Sequence, residues 1–320
     1  MQPLVSVIID NYNYGQFVAD AINSALQQTY RNCEVIVVDD GSQDDSQEVI
    51  SRFGGQIQTI FKRNGGQSSA FNAAFAKCSG DVICFLDADD VFLPVKLEMV
   101  VRGMAICPQG WCFHHVQWTD RHLNPIPTPP IPLSTGKYDF RASLLSGKCR
   151  FAPPATSGLA FARTLLNRIM PIPEVITNGS DNYLKLSALA LEPGYFIADQ
   201  YALQRIHGQN AYTAISDAIL LANVDMSVVS GLWSKVPALR SICNRWYGEG
   251  MARKWAAGVT IGKVYEDAQD YLMQMSFAER LEVVAWAGYK AVQKRALAGW
   301  PQRQRRSTSQ GMESGEIRSG

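Results

Sequence analysis

Apolar runs alternate with amphipathic stretches along the first 90 residues of the chain. Four runs rich in Val and Ile, typical of buried parallel strands, occupy 4–10, 34–40, 56–62 and 81–87. Three stretches with apolar residues at helical spacing occupy 14–30, 41–53 and 67–78, the second with Ser42 as its N-cap. This alternation predicts an α/β fold with a mostly parallel sheet, right-handed crossovers and ligand binding beyond the carboxyl ends of the strands.

Beyond residue 90 the pattern is less regular. Further helices are predicted at 94–106 and 181–191, further strands at 111–120, 156–163 and 195–206, and a proline-rich loop at 124–132. From Ser216 the chain is mostly helical, and its last residues are polar. We therefore predict an α/β domain over 1–215, a helical extension over 216–300 and a disordered tail over 301–320. The α/β domain has two halves, 1–92 and 93–215.

Composition excludes some classes of partner and compartment. The chain has 320 residues, and its 30 Lys and Arg nearly balance its 29 Asp and Glu, so no overall field favours nucleic acid. Seven scattered cysteines lack the paired spacing of a zinc site or a disulfide framework, which favours a reducing compartment. No signal peptide and no apolar run of about 18 residues is visible. These features predict a cytoplasmic protein.

In the stretch "CFLDADDVF", a predicted buried strand is followed directly by three carboxylates, those of Asp87, Asp89 and Asp90. Side chains alternate along an extended segment, so Asp87 and Asp89 point to the same side. Two such carboxylates repel by about 4 kcal/mol at an effective dielectric constant near 20. This repulsion predicts a bound cation, and oxygen-only ligands suit Mg²⁺ or Mn²⁺. An acidic turn that caps the following helix is the alternative.

Several motifs in order carry a resemblance to a known family. They are "VSVIIDNYNYG", "VVDDGS", "NGGQSSAFNAAF" and "CFLDADD". Together they resemble the nucleotide-binding half of family 2 inverting glycosyltransferases, closely over 3–92 and more loosely over 93–210. The resemblance implies a GT-A fold with a Rossmann-like sheet flanked by helices. It also implies transfer of a sugar from a nucleotide-diphosphate donor, UDP-linked, to a saccharide or lipid-linked hydroxyl acceptor in polysaccharide or glycan biosynthesis, with Mn²⁺ or Mg²⁺ as cofactor.

The resemblance assigns nucleotide contacts to the ends of the first two strands. Asp39 matches the aspartate that hydrogen-bonds the base, and Asp40 forms the turn beside it. Tyr12 and Asn13 match the loop that packs on the nucleoside. Asp and Asn also form turns readily without a ligand, so turn formation is the alternative at each of these positions.

The resemblance assigns the remaining chemistry to later segments. Asp87 would lie near the ribose, and Asp89 would hold the metal against the diphosphate. Asp181, in "NGSDNYLKL", matches the general base, although helix capping would also explain it. In "LQRIHGQN", His207 is a candidate metal ligand and Arg205 a candidate diphosphate contact.

The sequence departs from the family pattern at several of these motifs. Asp10 and Asn11 stand where the family commonly has Pro-Thr, and an extra carboxylate there could alter nucleotide preference. Phe71 stands where an Arg is frequent, so a cationic contact could be missing, and Lys62 and Arg63 at the end of the preceding strand could supply that charge, with Arg63 the candidate nucleotide contact. Ser180 replaces the first acid of the usual Glu-Asp pair.

Two other functions remain open from the sequence. A non-catalytic nucleotide-sugar binding or scaffold protein would explain Phe71 and Ser180. A sugar-phosphate nucleotidyltransferase would use a similar sheet and metal, but its glycine-rich signature is not visible near residue 10. The Trp- and Arg-bearing extension could make a peripheral contact at the inner face of the membrane or a contact between copies of the chain, or simply pack on the first domain.

Overall fold

The computed structural model describes residues 2–147, 154–208, 210 and 217–298. In chain order its strands β1 to β9 are Val5–Asn11, Cys33–Asp39, Gln58–Phe61, Val82–Asp87, Val91–Phe92, Trp111–Thr119, Gly136–Tyr138, Leu159–Ala162 and Gly194–Arg205. Its helices α1 to α11 are Gly15–Leu26, Ser46–Ser51, Gln67–Phe75, Lys96–Ile106, Arg141–Leu145, Arg163–Ile169, Ser180–Leu191, Ala218–Lys235, Arg240–Ala256, Ile261–Met273 and Phe277–Ala298. Cys149 and the predicted tail lie outside the described residues.

One sheet runs through the first two thirds of the chain, in the order β3-β2-β1-β4-β8-β6-β9-β5, with β7 paired to β9. The first four strands in this order are parallel, as their apolar, β-branched sequences predict. Strand β8 then runs antiparallel to both β4 and β6. The α/β fold is thus confirmed, and antiparallel pairing in the second half makes the sheet more mixed than predicted.

Strand register brings the acidic segments to one edge of the sheet. In the parallel pairs, Asp10 lies beside Asp87 and Asn11 lies beside Asp39. The carboxyl ends of β1, β2 and β4 therefore meet at the same edge, which is where ligands bind in open α/β sheets.

The helix predicted to begin at Ser42 begins four residues later, at Ser46. Ser42 is used to close the turn after β2 instead. Its backbone N–H donates to Asp39 Oδ1 at 3.0 Å, and its hydroxyl accepts from the backbone N–H of Asn13 at 2.8 Å. A side chain that bridges two loops cannot also cap the helix, so the helix starts after the turn.

The helical extension packs closely on the α/β domain. Gly179, at φ +78°, lies where an added Cβ would come within 2.8 Å of Val224 in α8, so the chain approaches that helix more closely than a side chain would permit. Trp233 of the same helix is buried, and the guanidinium of Arg240 lies 4.3 Å from the centre of its ring. Across the described part of the chain, no helix combines the length and apolar character needed to cross a membrane.

Lys96 gives the fold a testable pH dependence. Its side chain is 0% exposed, and its Nζ lies 3.3 Å from the centre of the Phe92 ring with no hydrogen-bond acceptor among the described residues. Burial lowers the pKa of Lys96 to about 8. The unfolded chain keeps this proton to a higher pH than the folded chain does. Burial of the charged amine therefore destabilises the fold fully below pH 8, and this cost becomes smaller as the pH rises above 8.

We therefore expect Lys96→Met to raise the free energy of unfolding at pH 7, by up to about 3 kcal/mol. Denaturant titrations at pH 7 and pH 10 should show this gain shrinking at the higher pH. Lys77→Met, at an exposed position, is the matched control and should change neither value. A gain of the same size at both pH values would show that the buried amine is not the cause.

Candidate active site

A cavity of about 1030 Å³ lies at the carboxyl ends of β1 and β4. Six side chains that the sequence assigns to the site line it, those of Tyr12, Asn13, Asp40, Asp87, Asp89 and Asp181. Asp10, Asp90 and Lys185 also line it, as does the proline-rich loop over 128–131. Asp39, Arg63, Arg205 and His207 are not part of its wall. The topology thus gathers most of the predicted site into one space.

The floor of the cavity holds an unusual density of negative charge. Asp87, Asp89 and Asp90 each offer a carboxylate oxygen, and these atoms lie within 4.8 Å of one another. Burial, reinforced by the neighbouring carboxylates, raises the pKa of Asp87 and of Asp90 well above the usual range. Burial likewise raises the pKa of Asp10 to about 7, and Asp89 and Asp40 add to the effect. These carboxylates can all be ionised together only if a cation lies nearby.

The residues present fit a divalent metal ion. Asp10 Oδ1 is buried and has no hydrogen-bond partner among the described residues, so this oxygen could contact a cation. Asp89 is held in place, because its Oδ2 lies 3.0 Å from His207 Nε2 and accepts from Asn210 Nδ2 at 3.1 Å. Carboxylate oxygens orientated in this way are the ligands that Mg²⁺ and Mn²⁺ prefer.

Asp90 holds the acidic loop in place through its hydrogen bonds. Its Oδ2 accepts from the Ser157 hydroxyl at 2.5 Å, and its Oδ1 accepts from the backbone N–H of Arg205 at 2.9 Å. These bonds tie the acidic loop to the segment just before β8 and to the end of β9. Asp87 and Asp89 are therefore the better placed of the three carboxylates to meet a ligand.

Arg205 and His207 support the acidic loop from behind. The Arg205 guanidinium donates to the carbonyl of Asp89 at 2.9 Å and to the carboxylate of Asp20 at 2.9 Å, and the residue is 4% exposed. The His207 ring packs 4.7 Å from the ring of Phe17, and its Nε2 lies 3.0 Å from Asp89 Oδ2 at the cavity wall. The structure thus places Arg205 away from the cavity and His207 next to the predicted metal ligand.

The turn after β2 is stabilised by its own carboxylates. Asp39 is 0% exposed, and it accepts from Asn11 Nδ2 at 2.8 Å and from Gln47 Nε2 at 2.9 Å. Asp40 reaches the cavity wall, but its carboxylate accepts from Lys62 and from the backbone N–H groups of Gly65 and Gly66, just before α3. In the described chain Asp39 shapes the loop instead of lining the cavity.

The loop after β1 forms the mouth of the cavity. Tyr12 is 43% exposed and presents its ring there. Asn13 has a positive φ of 59°, and its Oδ1 accepts from the backbone N–H of Gln43 at 2.8 Å. Asn tolerates this left-handed conformation better than most residues, which explains the residue type without a ligand. Arg63 is exposed and lies away from the wall.

The candidate base lies in the first turn of α7, which begins at Ser180. Asp181 Oδ2 lies 2.7 Å from Lys185 Nζ, one helical turn further along, and the same amine donates to the carbonyl of Pro154 at 3.2 Å. Sequence reasoning missed Lys185, although its spacing of four residues from an acid was a usable signal. The pair places a cation beside the acid in a cavity otherwise dominated by carboxylates.

The two departures that suggested a lapsed site have structural roles. Phe71 is 0% exposed and packs 4.7 Å from Phe85, so its position faces the core and not the cavity. The Ser180 hydroxyl lies 2.8 Å from that of Ser68, and its backbone N–H donates to Gln67 Oε1 at 3.2 Å. These bonds join the start of α7 directly to the start of α3.

Comparison with known proteins agrees with the fold and identifies a family. The family model for glycosyl transferase family 2 matches residues 6–143. An uncharacterized glycosyltransferase from Nostoc sp. is 36% identical over 222 residues, 67% of this chain and 68% of the relative. A chondroitin synthase from Pasteurella multocida is 36% identical over 126 residues, 38% of this chain and 13% of the synthase. The structure of S. aureus TarS 1-349 in complex with UDP-GlcNAc has a TM-score of 0.64 at 15% identity, covering 91% of this chain and 89% of the other.

Fold and relatives together define an enzyme of the glycosyltransferase class with the GT-A fold. The chain belongs to glycosyl transferase family 2. The resemblance drawn from the sequence motifs is thereby confirmed, and the nucleotidyltransferase alternative is set aside.

Proposed function

We propose that the protein is a metal-dependent inverting glycosyltransferase that moves a sugar from a UDP-linked donor to a hydroxyl group of a saccharide or lipid-linked acceptor. The observation that carries the proposal is the shared cavity: the crowded carboxylates of Asp87 and Asp89 and the separate carboxylate of Asp181 all line it. The carboxylates of Asp87 and Asp89 suit a metal-bound diphosphate, and that of Asp181 suits a hydroxyl that must lose a proton.

The donor would lie over the carboxyl ends of β1 and β4. Tyr12 and Asn13 would border the nucleoside at the mouth, with Asp40 beside it and Asp87 near the ribose. Asp39 would act on the base indirectly, through the loop that it shapes. That TarS binds UDP-GlcNAc on the same fold supports a UDP-linked donor. Arg63 and Arg205 would affect the nucleotide and diphosphate only through neighbouring loops.

The metal site would be built on Asp89, with Asp87 adjacent and His207 and Asn210 holding the Asp89 carboxylate in position. A Mn²⁺ or Mg²⁺ ion bound there would supply charge stabilisation to the departing diphosphate. Asp90 and Arg205 would keep the acidic loop fixed during the reaction, since both are hydrogen-bonded on the side away from the cavity.

Transfer would take place in one displacement. Asp181 Oδ accepts the proton of the acceptor hydroxyl as the hydroxyl oxygen forms a bond to the anomeric carbon. The bond from that carbon to the diphosphate oxygen breaks, and the nucleoside diphosphate leaves with the electron pair. Because attack and departure occur on opposite faces, the configuration at the anomeric carbon inverts.

The acceptor would occupy the part of the cavity formed by β6 and the proline-rich loop. Trp118 and the segment 129–131 give this wall an apolar surface. Apolar and aromatic surfaces of this kind suit the faces of sugar rings, with a few polar groups setting orientation. A place in polysaccharide or glycan biosynthesis follows from such an acceptor. We assign the transfer reaction to residues 1–215 and a supporting role to the extension over 216–300.

The test is a transfer assay with UDP-sugars, Mn²⁺ and a panel of saccharide acceptors. Release of UDP and appearance of a product whose anomeric proton shows the opposite configuration to the donor would support the proposal. Product with retained configuration would exclude the single displacement. UDP binding without any turnover across the panel would instead favour the non-catalytic binding protein.

Lys185 is expected to position the Asp181 carboxylate. Lys185→Met should lower kcat by about tenfold to a hundredfold, because a base displaced by an ångström loses much of its effect. Lys185→Arg should restore most of the rate, and donor affinity should stay unchanged in both variants. A loss of folding stability in Lys185→Met, with no recovery of the rate in Lys185→Arg, would reduce Lys185 to a packing role.

A further inference from the structure

His115 lies at an irregular point of β6, on the wall of the active-site cavity. The pairing of β6 with β9 shifts register between His114 and His115, and again between His115 and Val116. Such β-bulges redirect a side chain and are common next to active sites. His114 is 0% exposed, whereas the side chain of His115 is half-buried and borders the cavity.

Both ring nitrogens of His115 face carbonyl oxygens. Nδ1 lies 2.7 Å from the carbonyl oxygen of Val116, and Nε2 lies 3.2 Å from that of Pro129. A carbonyl oxygen can only accept a hydrogen bond, and a neutral imidazole has a single N–H. Both contacts are therefore hydrogen bonds only when the ring is an imidazolium ion.

The proline-rich loop over 124–132 is joined to β6 at its start without any help from His115. Gln117 Nε2 donates to the carbonyl of Ile126 at 2.8 Å, and the backbone N–H of Trp118 donates to the hydroxyl of Thr128 at 2.8 Å. Neither bond involves a group that changes charge. The first part of the loop is therefore held at any pH at which the protein is folded.

The next part of the loop, the segment 129–131, forms part of the apolar wall of the cavity. It begins with two prolines, which have no N–H to donate. Among the described residues, the bond from His115 to the carbonyl of Pro129 is the only hydrogen bond between the sheet and this segment. The charge of one histidine thus decides whether the sheet holds the segment through a hydrogen bond.

The titratable groups around His115 leave its ring nitrogens to the two carbonyls. On the surrounding elements these groups are Lys96 of α4, His114 of β6, Asp199 and Tyr201 of β9, and Lys185 and the six aspartates of the cavity wall. The proline-rich loop carries none. Burial, and then the charge of Lys96, lower the pKa of His114 to about 3, so His114 stays neutral. Within the described chain, none of these groups hydrogen-bonds to the His115 ring.

We propose that His115 positions the segment 129–131 over the acceptor side of the cavity in a pH-dependent way. At low pH the imidazolium ion donates to both carbonyls and holds the segment closed. As the pH rises, the ring releases one proton to solvent and keeps the other on Nδ1, where the contact is shorter. The lone pair of Nε2 then faces the carbonyl oxygen of Pro129, and their repulsion releases the segment. The inference rests on the proposed function only in naming this wall the acceptor side.

The test is hydrogen–deuterium exchange of the full-length protein at about pH 5 and about pH 8, the two ends of the range in which histidine ordinarily changes charge. Peptides covering 126–133 are followed, with rates corrected for the intrinsic pH dependence of exchange. Wild type should be protected about tenfold more at the lower pH. His115→Gln keeps a donor but cannot change charge, so its protection should be the same at both pH values. His115→Leu should show at both the low protection of wild type at the higher pH.

His122→Gln is the matched control, because His122 is an exposed histidine beside the same loop. It should keep the pH dependence of wild type. Equal protection of wild type at both pH values would contradict the proposal. A pH dependence that persisted in His115→Gln would also overturn it, and would assign the effect to another group such as Asp10, whose pKa burial raises to about 7.

Calorimetry with UDP and Mn²⁺ separates this proposal from the proposed reaction. UDP affinity should be unchanged in His115→Gln and His115→Leu, because the segment lies on the acceptor side. A loss of UDP affinity in both variants would place the segment at the donor site and contradict its assignment to the acceptor. Since exchange is measured without any ligand, a wild type that bound no nucleotide would count against the proposed reaction and leave the exchange result standing.

Discussion

Asp181→Asn is expected to lower the rate of sugar transfer by about a thousandfold and to leave donor binding unchanged. The substitution keeps the shape of the side chain but removes its capacity to accept a proton. Rates are to be measured as product formation under saturating donor and acceptor, and donor affinity by calorimetry. Because the carboxylate also pairs with Lys185, thermal unfolding must confirm that the variant is folded.

Glu174→Gln is the matched control for this substitution, since Glu174 is an exposed carboxylate close by in sequence. It should retain full activity. If Asp181→Asn transferred sugar at the wild-type rate, the base would have to be sought elsewhere on the cavity wall. If it lost donor affinity as well as rate, Asp181 would belong to the donor site.

Asp89→Ala is expected to abolish the metal dependence of donor binding and to lower kcat/KM by about a thousandfold or more, since a metal ion contributes several kcal/mol to the stabilisation of developing charge. The variant removes the carboxylate that His207 and Asn210 hold in place. The affinity for nucleoside diphosphate should be measured with and without Mn²⁺.

Asp199→Ala, at an exposed position of β9, controls for the loss of a negative charge. It should behave as wild type in both conditions. His207→Ala should lie between Asp89→Ala and wild type if His207 only orientates Asp89, and should match Asp89→Ala if it is itself a metal ligand. An Asp89→Ala variant whose nucleotide affinity still rises with Mn²⁺ would place the metal on other carboxylates.

The sequence predicts the fold of residues 1–92 well because the strands there are buried on both faces. Continuous apolar runs ending in Asp39 and Asp87 indicate both the strands and the edge where they end, and parallel pairing then brings these ends together. The short elements of the second half, such as β7 and α6, carry too few residues for a periodic signal. Their position depends on tertiary contacts with β9 and α7.

The sequence motifs do not predict in which direction each side chain points. Asp39 and Asp40 are adjacent, yet Asn11 and Gln47 hold the first inside the protein while the second reaches the cavity wall. Arg205 was expected near the diphosphate, but Asp20, far away in sequence, draws its guanidinium to the other side of the acidic loop. Long-range pairs of this kind depend on the folded topology, which spacing along the chain does not encode.

The central claim is that the carboxylates at the end of β4 bind a nucleoside diphosphate through a metal ion. The most direct measurement is calorimetric titration of the full-length protein with UDP, GDP and dTDP, each with and without Mn²⁺. Our account predicts that UDP binds, that binding requires Mn²⁺, and that Asp89→Ala loses it. Absence of binding by every nucleotide in both conditions would contradict the account, and the carboxylates of Asp87 and Asp89 would then have only a structural role.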